Sequence, residues 1–235
     1  MGAIMLNQMD NQRVAKYVKK KAKSKGIRIV LDHKNKYLDG DITVGSEAYF
    51  SDDGVAKVST LHEDWGLNLL HEYCHGEQWK ENCKVWRKSY MMGSDAYDIA
   101  DRWIKGDIEL TVGERYDVFF SLYDVERDCE ARVITHLSNI LIDVDISLYV
   151  QRAWAYINSY MYSCMIREWL PAHMPPYSHQ KLVGMMPTNM HKEIIIYNPE
   201  WWKLYEEAYP SLKKPNLSWG HRNGINDRVL IDDIW

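Results

Sequence analysis

Between Leu69 and Trp79 the chain reads LLHEYCHGEQW, and in it His71 and His75 stand four residues apart with Glu72 directly after the first. On an α-helix, positions i and i+4 project from the same face, so two imidazoles at this spacing can hold one metal ion together. A glutamate one position on lies roughly 100° further round, close enough to reach a water on that metal without occupying the metal itself. Two neutral imidazoles and one carboxylate form the donor set of an open hydrolytic zinc site, whose fourth position is left to water. Zinc draws the pKa of such a water to about 7, and the glutamate takes its proton. His71 and His75 are therefore candidate ligands, and Glu72 the candidate general base and acid.

Two histidines leave the site incomplete, so a carboxylate or imidazole must come from a second element. The stretch DVERDCEARVITHL, Asp124 to Leu137, offers one. Phe119, Tyr123, Glu126, Glu130, Val133 and Leu137 follow one another at alternating spacings of four and three, a core-facing helical stripe with two acids in its middle. Burying unpartnered carboxylates costs several kcal/mol, so Glu126 and Glu130 need a metal, a histidine N–H or a cation. A structural ion pair with Arg127, Arg132 or Arg152 would answer that need equally well.

HExxH followed by a helical glutamate and a second acid four residues on resembles the gluzincin clan of zinc metallopeptidases. The likeness is to its compact forms, built from a small sheet, an active-site helix and a glutamate helix. It covers roughly residues 43–140. The resemblance implies Glu126 as third zinc ligand and Glu130 as the partner that orients His71 through its other ring nitrogen. It also implies a peptide or protein substrate. Glu130 stands where aspartate is commoner, and its longer arm leaves open which of the two acids reaches the metal; Cys129 stands where the family often has alanine. The HExxH stretch with ERDCEAR also looks like uncharacterised proteins encoded by bacteriophages.

The elements that must position these residues are legible from periodicity and turn signals. DNQRVAKYVKKKAKSKG reads as a first helix with Asp10 or Asn11 as cap, an apolar stripe at Val14, Tyr17 and Val18, and a stop at Gly26. IRIVL is a strand candidate, and SDDG, Ser51 to Gly54, a hairpin turn between ITVGSEAYF and VAKVSTL. The strand VAKVSTL precedes the histidine helix and is a candidate edge for an extended peptide. Helices are expected over 64–80, over SDAYDIADRWIKG with Ser94 as cap, and over 111–140. Others are expected over 146–170 and across PEWWKLYEEAYP. The four prolines between 171 and 187 mark a loop or irregular wall, and the tail from 216 reads as irregular. The order implies an α+β, mainly helical, single-domain fold, with a metallohydrolase core over 1–170 and a C-terminal extension over 171–235.

Composition narrows the partners. A net charge of -4 gives no electrostatic case for nucleic acid or membrane, and the lysine-rich first helix reads as a solvated face. Cys74, Cys83, Cys129 and Cys164 form no CxxC pair, which argues for reduced thiols and a cytoplasmic setting. The N-terminus lacks the pattern of a secretory signal. Cys74 reads as a buried thiol packing near Cys129, His136 as a satisfied helix residue, and Trp201 and Trp202 as core. His33, His62 and His221 have no supporting pattern. Tyr149, Tyr156, Tyr160, His173, His179 and His191 are unranked candidates for an oxyanion donor. The expectation is a zinc-dependent peptidase. The alternatives are a non-catalytic metal-binding or phage-associated interaction protein on the same scaffold, and a metal-free helical protein.

Overall fold

Helix α1 (Gln8–Lys25) starts where Asn7, in extended backbone, accepts a hydrogen bond from the Asp10 N–H and donates its own amide to the Asp10 carboxylate. The cap is thus Asn7, not Asp10 or Asn11: both expected caps are buried, and Asp10 completes the capping pair from inside the helix. Gly26, at φ 70°, ends the helix in the left-handed region that glycine enters without strain. The computed structural model describes residues 6–33, 37–39, 42–44, 48–51, 53–190 and 198–213. His191, His221 and the tail from 216 lie outside the described residues.

The architecture is α+β and mainly helical, a small sheet near the N-terminus followed by helices. After α1 come β1 (Arg28–Asp32), a short antiparallel pair β2 (Tyr37–Asp39) and β3 (Ile42–Val44), then β4 (Ala48–Ser51) and β5 (Val55–Ser59). In the three-stranded sheet β5 is central, parallel to β1 and antiparallel to β4, with Arg28 opposite Val55 and Ser51 opposite Val55 at one end. The expected substrate edge at Val55–Leu61 is therefore corrected. Both sides of β5 are taken by neighbouring strands, as its four buried residues out of five suggest. The β4–β5 connection turns at Gly54, φ 77°, where a Cβ would come within 2.9 Å of the Trp79 ring.

Helix α2 (Trp65–Glu81) carries the histidines, and α3 (Lys84–Ser89) follows it. The rest of the chain holds the hairpin of β6 (Tyr90–Met91) and β7 (Ser94–Asp95), then α4 (Ala96–Lys105), α5 (Val112–Leu137) and α6 (Ile146–Ile166). A 3-10 turn at Pro176–Ser178, α7 (Gln180–Gly184) and α8 (Pro199–Ala208) complete it. The proline-rich stretch is thus less irregular than its composition suggests. Met92 and Gly93, at φ 52° and 82°, make the two-residue turn of the β6–β7 hairpin. Asp95, not Ser94, caps α4 by accepting from the Asp98 N–H; Ser94 donates to the Asp98 side chain. Helix α6 stops at Ile166 rather than running to 170, because Arg167 turns left-handed (φ 52°). Its guanidinium lies over the Trp103 ring and donates to the Trp103 carbonyl.

Two compact units emerge: Met1–Lys88 with Asp128–Tyr149, and Ser89–Arg127 with Val150–Trp235. In the first, α1, the sheet, α2 and the C-terminal part of α5 share one core. It includes Val14, Val18, Val58, Leu69, Leu70, Tyr73, Cys74, Cys129 and Val133. Asn11 fastens α1 to the start of α2, donating to the Glu63 carbonyl and accepting from the Gly66 N–H. A Cβ on Gly66 would meet Asn11 at 2.7 Å, so this close approach requires glycine. The second unit is rich in rings: Tyr162 stacks on Trp202 and Tyr205, and Trp103 packs edge-on to Phe119. Trp201 and Trp202 are core residues, as expected. No helix among the described residues is long and apolar enough to cross a membrane.

Candidate metal centre

Helix α2 has no solvent face of ordinary width. Leu67, Leu69, Leu70, Glu72, Tyr73, Cys74, His75, Gly76, Glu77 and Gln78 are all buried, while His71 is half-buried. A helix enclosed on most sides should be apolar all round. Placing two imidazoles, two carboxylates and an amide within it is stable only if each finds polar partners.

For the histidines those partners have a definite arrangement. His71 Nδ1 lies 3.0 Å from Glu130 Oε1, and the other Glu130 oxygen accepts from the Tyr149 hydroxyl at 2.6 Å. His75 Nδ1 lies 2.8 Å from Gln78 Oε1. The two Nε2 atoms face each other at 3.1 Å. Acceptors on both Nδ1 atoms place the ring hydrogens there, which leaves a lone pair on each Nε2. Two lone pairs at that distance repel unless a proton on one ring or a cation shared by both intervenes. Ring nitrogens on one tetrahedral zinc stand roughly 3.3 Å apart, given Zn–N distances of about 2.0–2.1 Å. The two ring nitrogens are spaced for one metal ion with little movement.

Glu130 is 6% exposed and, among the described residues, pairs with His71 and Tyr149 rather than with an arginine. Arg132 pairs instead with Asp128 and Glu81, and Arg127 with Asp124. Glu72 is buried beside His71 on α2. Glu126 belongs to the second unit, half-buried, and accepts from the Tyr160 hydroxyl at 3.4 Å; Tyr160 also meets Tyr156 at 2.9 Å. Of the expected oxyanion donors, Tyr149 has its hydroxyl committed to Glu130. Burial and the Glu130 charge push its pKa well above the phenol range. His173 is exposed, and His179 packs edge-on to Tyr209.

Two participants were missed by the sequence pattern. Gln78 stands three residues after His75 on the same helix, a spacing at which side chains meet. Cys129 is fully buried, its thiol donating to the His71 carbonyl at 3.3 Å and lying 3.7 Å from His71 Nδ1. His71, His75 and Cys129 form a group whose donor atoms all lie within 4.8 Å of one another. The spacing of Cys129, three after Glu126 and four before Val133, already put it on the inward face of α5.

A second polar group lies further along the same helices. Glu77 accepts from Tyr73 at 2.7 Å, Lys25 at 2.8 Å and His136 at 2.8 Å, and the other nitrogen of His136 meets the Tyr17 hydroxyl at 2.8 Å. Burial alone would raise the Glu77 carboxyl, but hydrogen bonds from His136, Lys25 and Tyr73 outweigh it and hold the pKa down to about 2. His136 is thus a satisfied helix residue. Comparison with protein-family models, with curated proteins and with solved structures found no match.

Proposed function

We propose that this chain is a zinc-dependent metallohydrolase whose substrate is a peptide bond. The observation that carries the reading is the pair of facing Nε2 atoms, each ring held from behind by an acceptor on its Nδ1. His71 and His75 hold the ion, and Glu126 is assigned as the third donor from the HExxH-and-glutamate-helix pattern. The ion, when bound, supplies a Lewis acid that acidifies water and polarises a carbonyl. Glu72 accepts the proton of the attacking water and delivers it to the leaving amine. Glu130 keeps His71 in the tautomer that offers Nε2. The peptide as substrate rests on the gluzincin-like pattern of residues.

Metal analysis of the purified protein tests this directly. About one equivalent of zinc is expected, lost in His71→Ala and in Glu126→Ala, while Glu72→Gln keeps the zinc and loses hydrolysis of a broad peptide library. A Glu72→Gln protein that matches the wild type in that assay ends the peptidase reading. The buried Cys129 thiol favours one second reading, a closed non-catalytic metal site. Zinc lost in Cys129→Ser but kept in Glu126→Ala would decide for it.

A further inference from the structure

We infer that Gln78, oriented by Asp128 and Arg132, is a positioning residue that fixes the tautomer of His75. The inference deepens the metal-site reading and rests on it for its functional meaning, though its geometry stands by itself. Gln78 is fully buried, and an amide side chain can present either its oxygen or its nitrogen to an imidazole. Its polarity is decided at the far end. Asp128 Oδ2 lies 2.8 Å from Gln78 Nε2 and also accepts from Arg132 Nε at 2.7 Å. Arg132 in turn donates to Glu81 at 2.7 Å, which holds the guanidinium in place beside Asp128. A carboxylate oxygen can only accept, so the Gln78 amide must turn its nitrogen to Asp128 and its oxygen to His75. His75 Nδ1 then carries the hydrogen, and the lone pair lies on Nε2, 3.1 Å from that of His71.

The two rings are thereby held by unlike devices. His71 leans on a carboxylate directly, whereas His75 leans on a neutral amide whose direction is imposed by an ion pair one step further out. This arrangement keeps a second negative charge from touching the histidine pair while transmitting the same demand for an Nδ1 hydrogen.

Two measurements on the full chain test the inference. The first is the side-chain ¹⁵N spectrum of His75 in metal-free protein, assigned by its loss in His75→Ala. The second is zinc affinity by chelator competition. In the wild type His75 shows the Nδ1–H tautomer. Gln78→Leu, close in shape, loses that signature and weakens zinc binding about 10- to 100-fold. Gln78→Glu alone sets two carboxylates against each other and weakens binding as well. Gln78→Glu combined with Asp128→Asn exchanges donor and acceptor at the far end while keeping an oxygen towards His75, and restores both the signature and the affinity to within about threefold. A Gln78→Leu protein that folds with the wild-type tautomer and zinc affinity overturns the inference, as does failure of the double variant to recover the tautomer when its circular dichroism is native. If the wild type binds no zinc, the metallohydrolase reading falls while the tautomer spectra still decide the role of Gln78.

Discussion

Two clusters of metal-ligating side chains sit within one pair of helices, and they differ in what already balances their charge. His71, His75 and Cys129 bring donor atoms within 4.8 Å of one another, and so do Cys74, Glu77 and His136. In the second cluster the Lys25 ammonium already lies 2.8 Å from the Glu77 carboxylate, and His136 is hydrogen-bonded at both nitrogens. Its positive charge is covalently attached. The first cluster turns the Nε2 atoms of two imidazoles towards each other at 3.1 Å, and braces each ring from behind. The partners of those residues, more than their types, set the two apart.

The comparison breaks most visibly if the clusters exchange behaviour on loss of a histidine. His75→Ala is expected to abolish stoichiometric zinc, weakening affinity beyond the roughly 100-fold typical of losing an orienting partner. His136→Ala is expected to leave zinc stoichiometry unchanged and lower stability instead, because it strands a buried carboxylate oxygen. Parallel metal analysis and urea unfolding of the two variants suffice. Zinc lost in both would mean that the second cluster also binds the ion.

Acid titration sharpens the same contrast with a smaller effect. The Glu77 pKa is depressed in the folded chain to about 2 from an ordinary 4.5. Its contribution to stability is therefore complete above about pH 4.5 and is lost as pH falls from there towards 2. Glu77→Gln should lower stability at pH 7 by about 2–3 kcal/mol and flatten the stability profile between pH 4.5 and 2, measured by urea unfolding across that range. A variant whose acid limb coincides with that of the wild type would show that the lysine and histidine contacts do not stabilise the charged form.

The parts of this scheme that sequence made legible are those with a strong local period. The histidine pair at i and i+4, the alternating stripe through Glu126 and Glu130, and the left-handed stop at Gly26 each follow from spacing along one helix. The pairing of Glu130 with His71 was implied by the gluzincin-like pattern; burial by itself required only some partner and left an arginine open. Gln78 was not singled out, because glutamine on a helix has good propensity and no charge to draw notice. Its role appears only when Asp128 and Arg132 arrive from α5. The central place of β5 was hidden for a related reason. A short apolar strand reads alike at an edge or between neighbours, and the parallel partner β1 comes from before the β2–β3 pair. The caps were misplaced by one to four residues because Asp10, Asn11 and Ser94 are all competent capping types. The choice fell to Asn7 and Asp95, whose backbones are extended.

The smallest test compares two tyrosines in equivalent supporting positions. The Tyr149 hydroxyl donates to Glu130, which holds His71, and the Tyr17 hydroxyl meets His136, which holds Glu77. Removing either hydroxyl deletes one hydrogen bond. Tyr149 donates to a carboxylate, so Tyr149→Phe should reduce stability by about 1.5–3 kcal/mol in the absence of zinc; Tyr17→Phe, whose hydroxyl meets a ring nitrogen rather than a carboxylate, should reduce it by about 1 kcal/mol. The distinguishing readout is zinc affinity. With one of its two donors gone, Glu130 gains freedom to rotate away from His71, and affinity in Tyr149→Phe is expected to fall about threefold to tenfold. In Tyr17→Phe it should not move, because the charge on that side is balanced by Lys25 rather than by an ion from solution. Equal zinc affinities in the two variants, each folded and each less stable than the wild type, would mean that the braces behind the rings act on the fold alone.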